Sequence, residues 1–517
     1  MKKLIGLALA LTAAMAASAQ DFVMNNGSEP QSLDPALTSG VPESRLAYSL
    51  FEGLVVNDAK TSLPVPGLSD KWEISADHKT YTFHIRPAKW SDGTAITAQD
   101  FVNSWLRVLE PKTASPYAYL LGDNIEGAKA FNSGKGAAQD VKIKALDPQD
   151  LQVTFVGPLP YALSMLTHSS FSATPTQVIA KNGASWVKPE HFVGSGPFVL
   201  KSWRPQDRIV VEKNPNYWDA KNVSLKSITY LPIEDQNVAY DKYKAGEIDY
   251  LPDDSVPVGK IDEIKLRKDY QHLAGSSVYY FIYNTTKAPF NDVRVRKALS
   301  MAVNRQDLVD KVLKAGDVAS AGLVPAIQGY STAKGNPFNA EAAKKLLAQA
   351  GFPGGKGFPK VPLIYNTSAR HKLICEYIQQ AWKSNLGIDV ELQNLEWNTF
   401  LDTRQKTHNF MVARAGWLAD YPDAGNYLDM FKTGAGNNDG LYTNGKYDAL
   451  LAKAAKMAGG DPRNKVLEQA EEIMITQDQA VSPWFFYVNK SLINTSKWTG
   501  LYANAMDIHP TKWIHKK

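Results

Sequence analysis

PLIYNTSARHKLICEYIQQAWKSNLGIDVELQNLEWNTFLDTRQKTHNFMVARAGWLAD, residues 362–420, alternates two patterns that decide the fold class. Short runs of apolar and β-branched residues predict strands at 362–365, 389–395 and 410–413. Longer segments with apolar residues three or four apart predict helices at 372–386 and 398–405. Strands that alternate with helices in this way predict an α/β lobe.

A candidate site follows the last of these strands. In open α/β sheets, ligands bind beyond the carboxyl ends of the strands. The segment that leaves the predicted strand 410–413 carries Arg414, Trp417 and Asp420 within seven residues. We therefore expect a binding site here, with a cation, an aromatic ring and a carboxylate.

The rest of the chain divides into two parts. From residue 278 onward the patterns predict a strand at 278–284 and helices at 293–303, 306–314 and 340–350, the last ended by Gly351. Before that point, short β-rich stretches at 80–85, 151–155, 208–212 and 228–232 alternate with turns, and one helix is predicted at 97–109. Because a single core stops growing at roughly 250–300 residues, 517 residues predict two or three domains.

The N-terminus has the pattern of a cleaved secretory signal over residues 1–19. Lys2 and Lys3 precede an apolar run, and Ala17-Ser18-Ala19 forms the exit. No cysteine stands at that exit, so a lipoprotein anchor is not expected, and Cys375, the single cysteine, excludes an internal disulfide. No later segment approaches the ~20 apolar residues of a membrane helix. We expect a freely diffusing protein without membrane insertion, in the periplasm of a Gram-negative cell.

Charge and motifs exclude several function classes. The net charge is +5, or +3 without the two leader lysines, which gives no nucleic-acid footprint. HExxH pairs, GxSxG elbows and phosphate loops are absent from the sequence, and no metal site or cofactor is predicted. Gly194-Ser-Gly-Pro197 indicates a tight turn before an apolar strand. A paired-carboxylate hydrolase stays open, because its two acids can lie anywhere in a chain.

Several blocks, in one order, resemble the periplasmic oligopeptide-binding proteins, the receptors of peptide ABC importers, within a wider family that also includes dipeptide-, murein-peptide- and nickel-binding proteins. The blocks begin at Asn25 and end with the Arg414-Ala-Gly-Trp417 motif that Asp420 follows, and they lie at 25–35, 41–44, 89–94, 113–118, 289–296, 365–368 and 412–417. The resemblance covers essentially the whole chain after the leader. The final motif is similar to the oligopeptide branch in particular.

The resemblance implies an α/β fold of two lobes with an inserted third domain, closing on the ligand like a hinge. Lobe I would comprise residues 20–51, 176–276 and 488–517. The inserted domain II would be 52–175, and lobe III, which anchors the ligand, would be 277–487.

The resemblance also implies how a peptide is held at its two ends. Asp420 matches the anchor of the peptide's ammonium, with a surface aspartate as the alternative. Arg414 matches the partner of a short peptide's carboxylate, although an internal ion pair with Asp420 is the alternative. His371 matches a partner of a longer peptide's carboxylate, or is an ordinary histidine at a helix N-terminus. A further cation falls near Lys311 or Lys314, and the alignment does not decide between them.

Other matching residues would line the pockets for the peptide's side chains, with a place in the domain core as the alternative for each ring. They are Val41, Tyr117 or Tyr119, Trp397, Arg404, Gly416, Trp417 and Tyr487. Two residues depart from the family pattern: Ser39 stands where relatives carry a glutamate, and Leu418 replaces a cysteine. Loss of the negative charge at position 39 predicts weaker selection for basic peptides.

The function that the resemblance implies is capture of peptides of about two to five residues, largely independent of their sequence. The partners would be these peptides, an inner-membrane ABC permease and its ATPase subunits, and the protein would be a monomer without enzyme activity. A receptor for murein tripeptide and a periplasmic peptidase are the two alternatives.

Overall fold

The computed structural model describes residues 22–517, so the predicted secretory signal at 1–19 lies outside the described residues. The predicted α/β class is confirmed, because strands and helices alternate through the second half of the chain. Its nineteen strands among these residues are β1 Phe22–Asn25, β2 Val55–Asn57, β3 Pro64–Pro66, β4 Ser69–Ile74, β5 Thr80–Ile85, β6 Ile143–Ala145, β7 Asp150–Thr154, β8 Phe198–Arg204, β9 Arg208–Lys213, β10 Ser227–Leu231, β11 Tyr250–Leu251, β12 Tyr270–Tyr283, β13 Val318–Ala319, β14 Val361–Asn366, β15 Val390–Leu395, β16 Val412–Leu418, β17 Val481–Ile493, β18 Trp498–Thr499 and β19 His515–Lys516.

Most helices are short, and the longest is α12. Within residues 22–517 they are α1 Val41–Leu50, α2 Ala98–Leu109, α3 Ala118–Gly122, α4 Ala128–Asn132, α5 Ala162–Met165, α6 Thr176–Asn182, α7 Gln236–Lys244, α8 Ile261–Ile264, α9 Val293–Met301, α10 Arg305–Asp307, α11 Ala340–Gln349, α12 Ala369–Leu386, α13 Trp397–Leu401, α14 Ala424–Leu428, α15 Gly445–Ala454 and α16 Asp461–Glu471. A π-helical turn, Asp402–Lys406, continues α13. Such turns are rare in proteins, and those that occur often lie at functional sites.

One eleven-stranded sheet connects the two lobes. Its order is β15-β14-β16-β12-β17-β11-β1-β10-β9-β8, and β13 pairs with β17. We use "first lobe" for the part built on β1 and β8–β11, and "second lobe" for the part built on β14–β16. Strands β12 and β17 run through both lobes, since β17 pairs with β11 near its C-terminus and with β13 near its middle.

The pairing of β12 with β17 is interrupted where the lobes meet. Ala274 pairs with Val488 and Val278 pairs with Phe486, so the register shifts between these two pairs. The extra residues on β12 form an irregularity of the kind that bends a strand and increases its twist. The predicted boundaries 276/277 and 487/488 fall at this irregularity.

A separate sheet is built from strands that come after β1 and before β8 in the sequence, between the two segments that form the first lobe. Its order is β4-β5-β7-β6, and all four strands lie within the predicted insert 52–175. Tyr161 of this region stacks on Tyr421 of the second lobe with 4.7 Å between ring centroids. The small sheet therefore packs against the second lobe.

The predicted end of one strand is wrong. Residues 410–413 were expected to be the last strand before the candidate site, but β16 runs from Val412 to Leu418. It continues because β12 pairs with it over its whole length, from Tyr283↔Val412 to Ser277↔Leu418. Tertiary pairing outweighs the local pattern here. Arg414, Gly416, Trp417 and Leu418 thus lie in the strand, and Asp420 lies two residues beyond it.

The second lobe has a continuous apolar core around α12. Cys375, on this helix, is fully buried between β14 and β16 residues such as Tyr365 and Val412. Burial raises the pKa of the Cys375 thiol, so it stays protonated. In the described part of the chain, no helix combines the length and apolar character that crossing a membrane requires.

Candidate functional site

A cavity that opens to solvent lies between the two lobes. Residues from both lobes line it. Among the predicted site residues, the following do so, whereas Tyr119 and the two lysine candidates do not: Ser39, Val41, His371, Trp397, Arg404, Arg414, Gly416, Trp417, Leu418, Asp420 and Tyr487. The structure therefore brings together residues that lie nearly 450 positions apart in sequence.

Strand β16 presents an open edge to this cavity. Strand β14 pairs with β16 only at Leu363↔Val412 and Ile364↔Ala413. From Arg414 to Leu418, among residues 22–517, β12 on the other side is the single strand partner of β16. These four steps span about 13 Å at ~3.3 Å per residue. The Arg414 carbonyl oxygen accepts a hydrogen bond from Arg404 Nη1 at 3.4 Å. The other main-chain groups that β12 leaves unpaired can accept one further strand.

Asp420 lies at one end of this edge and is almost completely buried. The Tyr117 hydroxyl donates to its Oδ1 at 3.2 Å, and the Asn426 amide donates to its Oδ2 at 3.0 Å. The Asn426 side-chain oxygen in turn accepts the Asp420 N–H at 3.0 Å and the indole N–H of Trp417 at 2.8 Å. Asn426 thus fixes the carboxylate against the aromatic ring of the same motif.

His168 is the third neighbour of the Asp420 carboxylate, with its Nε2 3.6 Å from Oδ1. The backbone N–H of Ser170 donates to Nδ1 of His168 at 3.2 Å. This bond requires an unprotonated Nδ1, so the neutral ring carries its proton on Nε2, facing the carboxylate. Burial lowers the pKa of His168, with Asp420 opposing the shift.

The carboxylate itself is also perturbed by its surroundings. Burial raises the pKa of Asp420, while His168 and the hydrogen bonds from Asn426 and Tyr117 oppose the shift. A buried carboxylate without a full counter-charge gains from a cation. The site can therefore bind an ammonium group, and a bound ammonium would favour the ionised form of the Asp420 carboxylate.

Arg414 and His371 lie at the other end of the edge. The Arg414 guanidinium is 5.4 Å from the centre of the Tyr279 ring, and His371 packs 5.6 Å from the same ring. Within the described residues, Arg414 forms no ion pair, so the alternative of an internal Arg414–Asp420 pair is wrong. Buried atoms at this end, Arg414 Nε and His371 Nδ1, have no hydrogen-bond partner in residues 22–517.

The charge at this end comes from Arg414, because His371 is neutral. Burial lowers the pKa of His371 well below its usual range, and the nearby cations Arg414 and Arg370 lower it further. His371 lies in the first turn of α12. It is not an ordinary surface residue there, because it is 8% exposed and lines the cavity. An incoming carboxylate would meet one permanent cation and one ring nitrogen.

Contacts across the cleft join the segment after β1 to the second lobe. The Trp397 indole N–H donates to Glu43 at 3.2 Å, and the Gln405 amide donates to Ser39 at 3.1 Å. The hydroxyl of Tyr487 lies over Gly416, where a Cβ atom would approach it to 3.1 Å. A larger residue at 416 would displace this ring.

Two groups of residues considered from the sequence lie outside the cavity. Tyr119 stacks behind Tyr117, with 6.0 Å between ring centroids, and the ring that lines the cavity is Tyr117. Lys311 pairs with Asp307 on the surface, and Lys314 does not line the cavity. Neither lysine is placed to meet a ligand there.

Sequence reasoning missed His168, Asn426 and Asp439, all near the predicted residues. Asn426 lies only six positions after Asp420, so a polar residue close to the motif was visible in the sequence. His168 and Asp439 come from distant segments, and their sequence surroundings carry no signal for this site.

Comparison with known proteins shows the family of this chain. Residues 64–439 match the family described as "Bacterial extracellular solute-binding proteins, family 5 Middle". The chain is 40% identical to the periplasmic oligopeptide-binding protein OppA of Salmonella typhimurium over 96% of this chain and 94% of that one. It is 36% identical to the periplasmic murein peptide-binding protein MppA of Escherichia coli, with 92% and 89% covered.

Solved structures match the arrangement of the two lobes. The complex of Haemophilus influenzae OppA with RPPGFSPFR has a TM-score of 0.92 at 34% identity, covering 96% of this chain and 99% of that one. Escherichia coli MppA gives 0.91 at 33% identity, with 97% and 99% covered. The unliganded open form of MppA, at 34% identity with 97% and 98% covered, gives only 0.63, so the lobes of this chain are not arranged as in that open form. With its fold, its inter-lobe cavity and these matches, the chain belongs to the bacterial extracellular solute-binding proteins of family 5.

Proposed function

We propose that this protein is a receptor that captures short peptides of about two to five residues in the inter-lobe cavity and delivers them to an ABC importer. The peptide's ammonium pairs with Asp420, and its carboxylate meets Arg414, with His371 beside it for longer peptides. The observation that carries the proposal is the open edge of β16 between these oppositely charged ends. The relatives named for peptide binding support it.

The edge explains how many sequences can be bound. A peptide added as a strand uses only groups that all peptides share, namely backbone amides and the two charged termini. An extended tripeptide is about 10 Å long, which fits the roughly 13 Å between Arg414 and Leu418. Side chains then point into a wide cavity where water molecules can complete their hydrogen bonds.

The lobes would close around the peptide by a hinge at the two strands that connect them. We assign lobe I to residues 20–51, 176–276 and 488–517, domain II to 52–175 and lobe III to 277–487. The register shift opposite Phe486 and Val488 and the membership of the small sheet support this division. Hinge closure would bury the ligand.

The remaining expectations follow from this role. The protein would act as a monomer in the periplasm after removal of residues 1–19, and it would hand its peptide to an inner-membrane permease driven by ATPase subunits. It would have no enzyme activity. Incubation of a bound tripeptide with the protein, followed by mass spectrometry, would reveal cleavage if the protein is instead a peptidase.

Calorimetric titration of ligand-stripped protein with di-, tri-, tetra- and pentapeptides tests the proposal. Tight binding of varied tripeptides is the expected result. Absence of binding by every ordinary peptide would contradict it. The similarity to MppA makes L-Ala-γ-D-Glu-diaminopimelate the informative second ligand, and tighter binding of it than of tri-alanine would favour a murein-peptide receptor.

A further inference from the structure

We propose that Asp439 sets the charge selectivity of the cavity by neutralising Arg404, so that peptide side chains of either charge are accepted. This inference rests on the proposed function.

Arg404 and Asp439 form an ion pair in the wall of the cavity. Arg404 Nε lies 2.7 Å from Asp439 Oδ2, and both residues line the cavity. Their side chains are 12% and 3% exposed. Charges withdrawn from water to this extent interact strongly with any other charge that enters the same space.

The pair lies beside the edge where the peptide would run. Arg404, in the π-helical turn after α13, also donates through Nη1 to the carbonyl oxygen of Arg414 on β16, at 3.4 Å. The guanidinium is therefore fixed at two points, against a carboxylate and against the strand. Any peptide strand on this edge passes within reach of the pair.

Asp439 is held in place by a rigid loop. The Asn438 amide donates to the carbonyl oxygens of Lys432 at 3.1 Å and Tyr442 at 2.7 Å. Gly440 packs directly on β12, where a Cβ atom would come within 2.6 Å of the Tyr283 carbonyl oxygen. The carboxylate thus cannot easily leave Arg404.

No other carboxylate replaces Asp439 in this role. Ser39, across the cleft, is neutral and bonds to Gln405, the neighbour of Arg404. Within residues 22–517, Asp439 is the one acid that forms an ion pair with Arg404. The carboxylate that faces Arg404 is thus Asp439, and position 39 contributes no charge to the pair.

The ionised state of Asp439 is consistent with this role. Burial raises its pKa to about 6, while Arg404 and His408 oppose the shift. At about pH 8 the carboxylate is therefore charged, and the pair has no net charge. Removing either partner would leave a single buried charge facing the ligand.

Two mirror-image variants test the proposal by calorimetry at about pH 8. The ligands are alanine tripeptides that carry glutamate, glutamine or lysine at each position in turn. Asp439→Asn leaves Arg404 uncompensated, and we expect glutamate to be preferred over glutamine by about tenfold or more at one position. Arg404→Gln leaves the carboxylate uncompensated, and we expect the same preference for lysine.

The double variant Arg404→Gln/Asp439→Asn should return both ratios to those of the wild type. Asp310→Asn, the same change at an exposed position, is the matched control. Wild-type ratios in both single variants would overturn the proposal, as would the absence of a lysine preference in Arg404→Gln if Asp439→Asn does not fold. If the wild type binds none of these peptides, the proposed function itself fails, which is a distinguishable result.

Discussion

The anionic and cationic ends of the cavity differ in how completely their polar groups are hydrogen-bonded within the protein. At the anionic end, Tyr117, Asn426 and His168 surround the Asp420 carboxylate. At the cationic end, Arg414 Nε and His371 Nδ1 are buried without a hydrogen-bond partner in the described residues. The anionic end is thus pre-organised for one group in one place, and the cationic end leaves bonds to be completed by the ligand.

If Asp420 holds the ammonium and Arg414 the carboxylate, as proposed, this difference predicts that the peptide's first residue is placed more strictly than its last. A carboxylate held by three neighbours has little freedom to follow a displaced ammonium. A guanidinium packed over an aromatic ring keeps several donors, and a water molecule can extend its reach. Tolerance of peptide length therefore belongs to the Arg414 end.

The largest expected effect is the loss of the anionic end. Asp420→Ala should weaken tripeptide binding by ~2–5 kcal/mol, or roughly 30-fold to several-thousand-fold, because the buried ammonium would lose its counter-charge. Calorimetric titration measures this change. Asp262→Ala, at a position whose side chain is 73% exposed, should bind like the wild type. Equal affinities for the wild type and Asp420→Ala would place the ammonium elsewhere.

A smaller and length-dependent effect is expected at the cationic end. Arg414→Gln should weaken tripeptide binding by about 1.5–3 kcal/mol, the usual contribution of a hydrogen bond to a charged group. Pentapeptides should lose less, because their carboxylate lies further along the cavity. Titration of both lengths gives the comparison. An identical loss for both would contradict the assignment of length tolerance to this end.

Acid should weaken binding through the anionic end. The peptide's ammonium favours ionised Asp420, whose pKa is raised by burial before binding. Affinity should be constant between that raised pKa and about pH 7, above which the peptide's ammonium begins to lose its proton. It should fall as the pH drops through the raised pKa of Asp420. Protonation of His168 adds a competing cation and acts in the same direction, whereas protonation of His371 favours the peptide's carboxylate. Dissociation constants measured from about pH 8 to about pH 4 test this, and Asp420→Asn should show a flatter profile.

The smallest effect is expected from loss of the Ser39–Gln405 hydrogen bond, which involves neither Asp420 nor Arg414. Ser39→Ala removes the hydrogen bond from Gln405 across the cleft, which is 3.1 Å long. Because this bond stabilises closure rather than one terminus, peptides of all lengths should lose about 0.5–1.5 kcal/mol equally. A loss confined to one length would instead indicate direct contact with the ligand.

Local pattern predicted much of the second lobe. The three predicted strands and the two predicted helices between 361 and 418 are present, although the second helix is short and continues as a π-helical turn. Their apolar periodicity agrees with the packing around Cys375 and Ile374. The predicted end of this last strand, at residue 413, was wrong. Arg414 and Gly416 interrupt the apolar pattern, but β16 continues because its pairing with β12 continues. Local sequence does not contain that information.

The candidate site was predictable where one short motif supplies it. Arg414, Trp417 and Asp420 lie within seven residues, and the structure places all three at the cavity. The residues that contact these three side chains do not all lie close to the motif in sequence. His168 reaches Asp420 from 252 positions away, a pairing that depends on how the small sheet packs against the second lobe.

The buried thiol of Cys375 makes this protein unusually convenient for optical work. A reagent that attacks thiolates at the surface would not reach this side chain, and its raised pKa keeps it unreactive. Cysteines introduced at exposed positions would then be the reactive thiols among residues 22–517. A fluorophore pair placed on opposite sides of the cleft could follow lobe closure in real time, without removing a native residue.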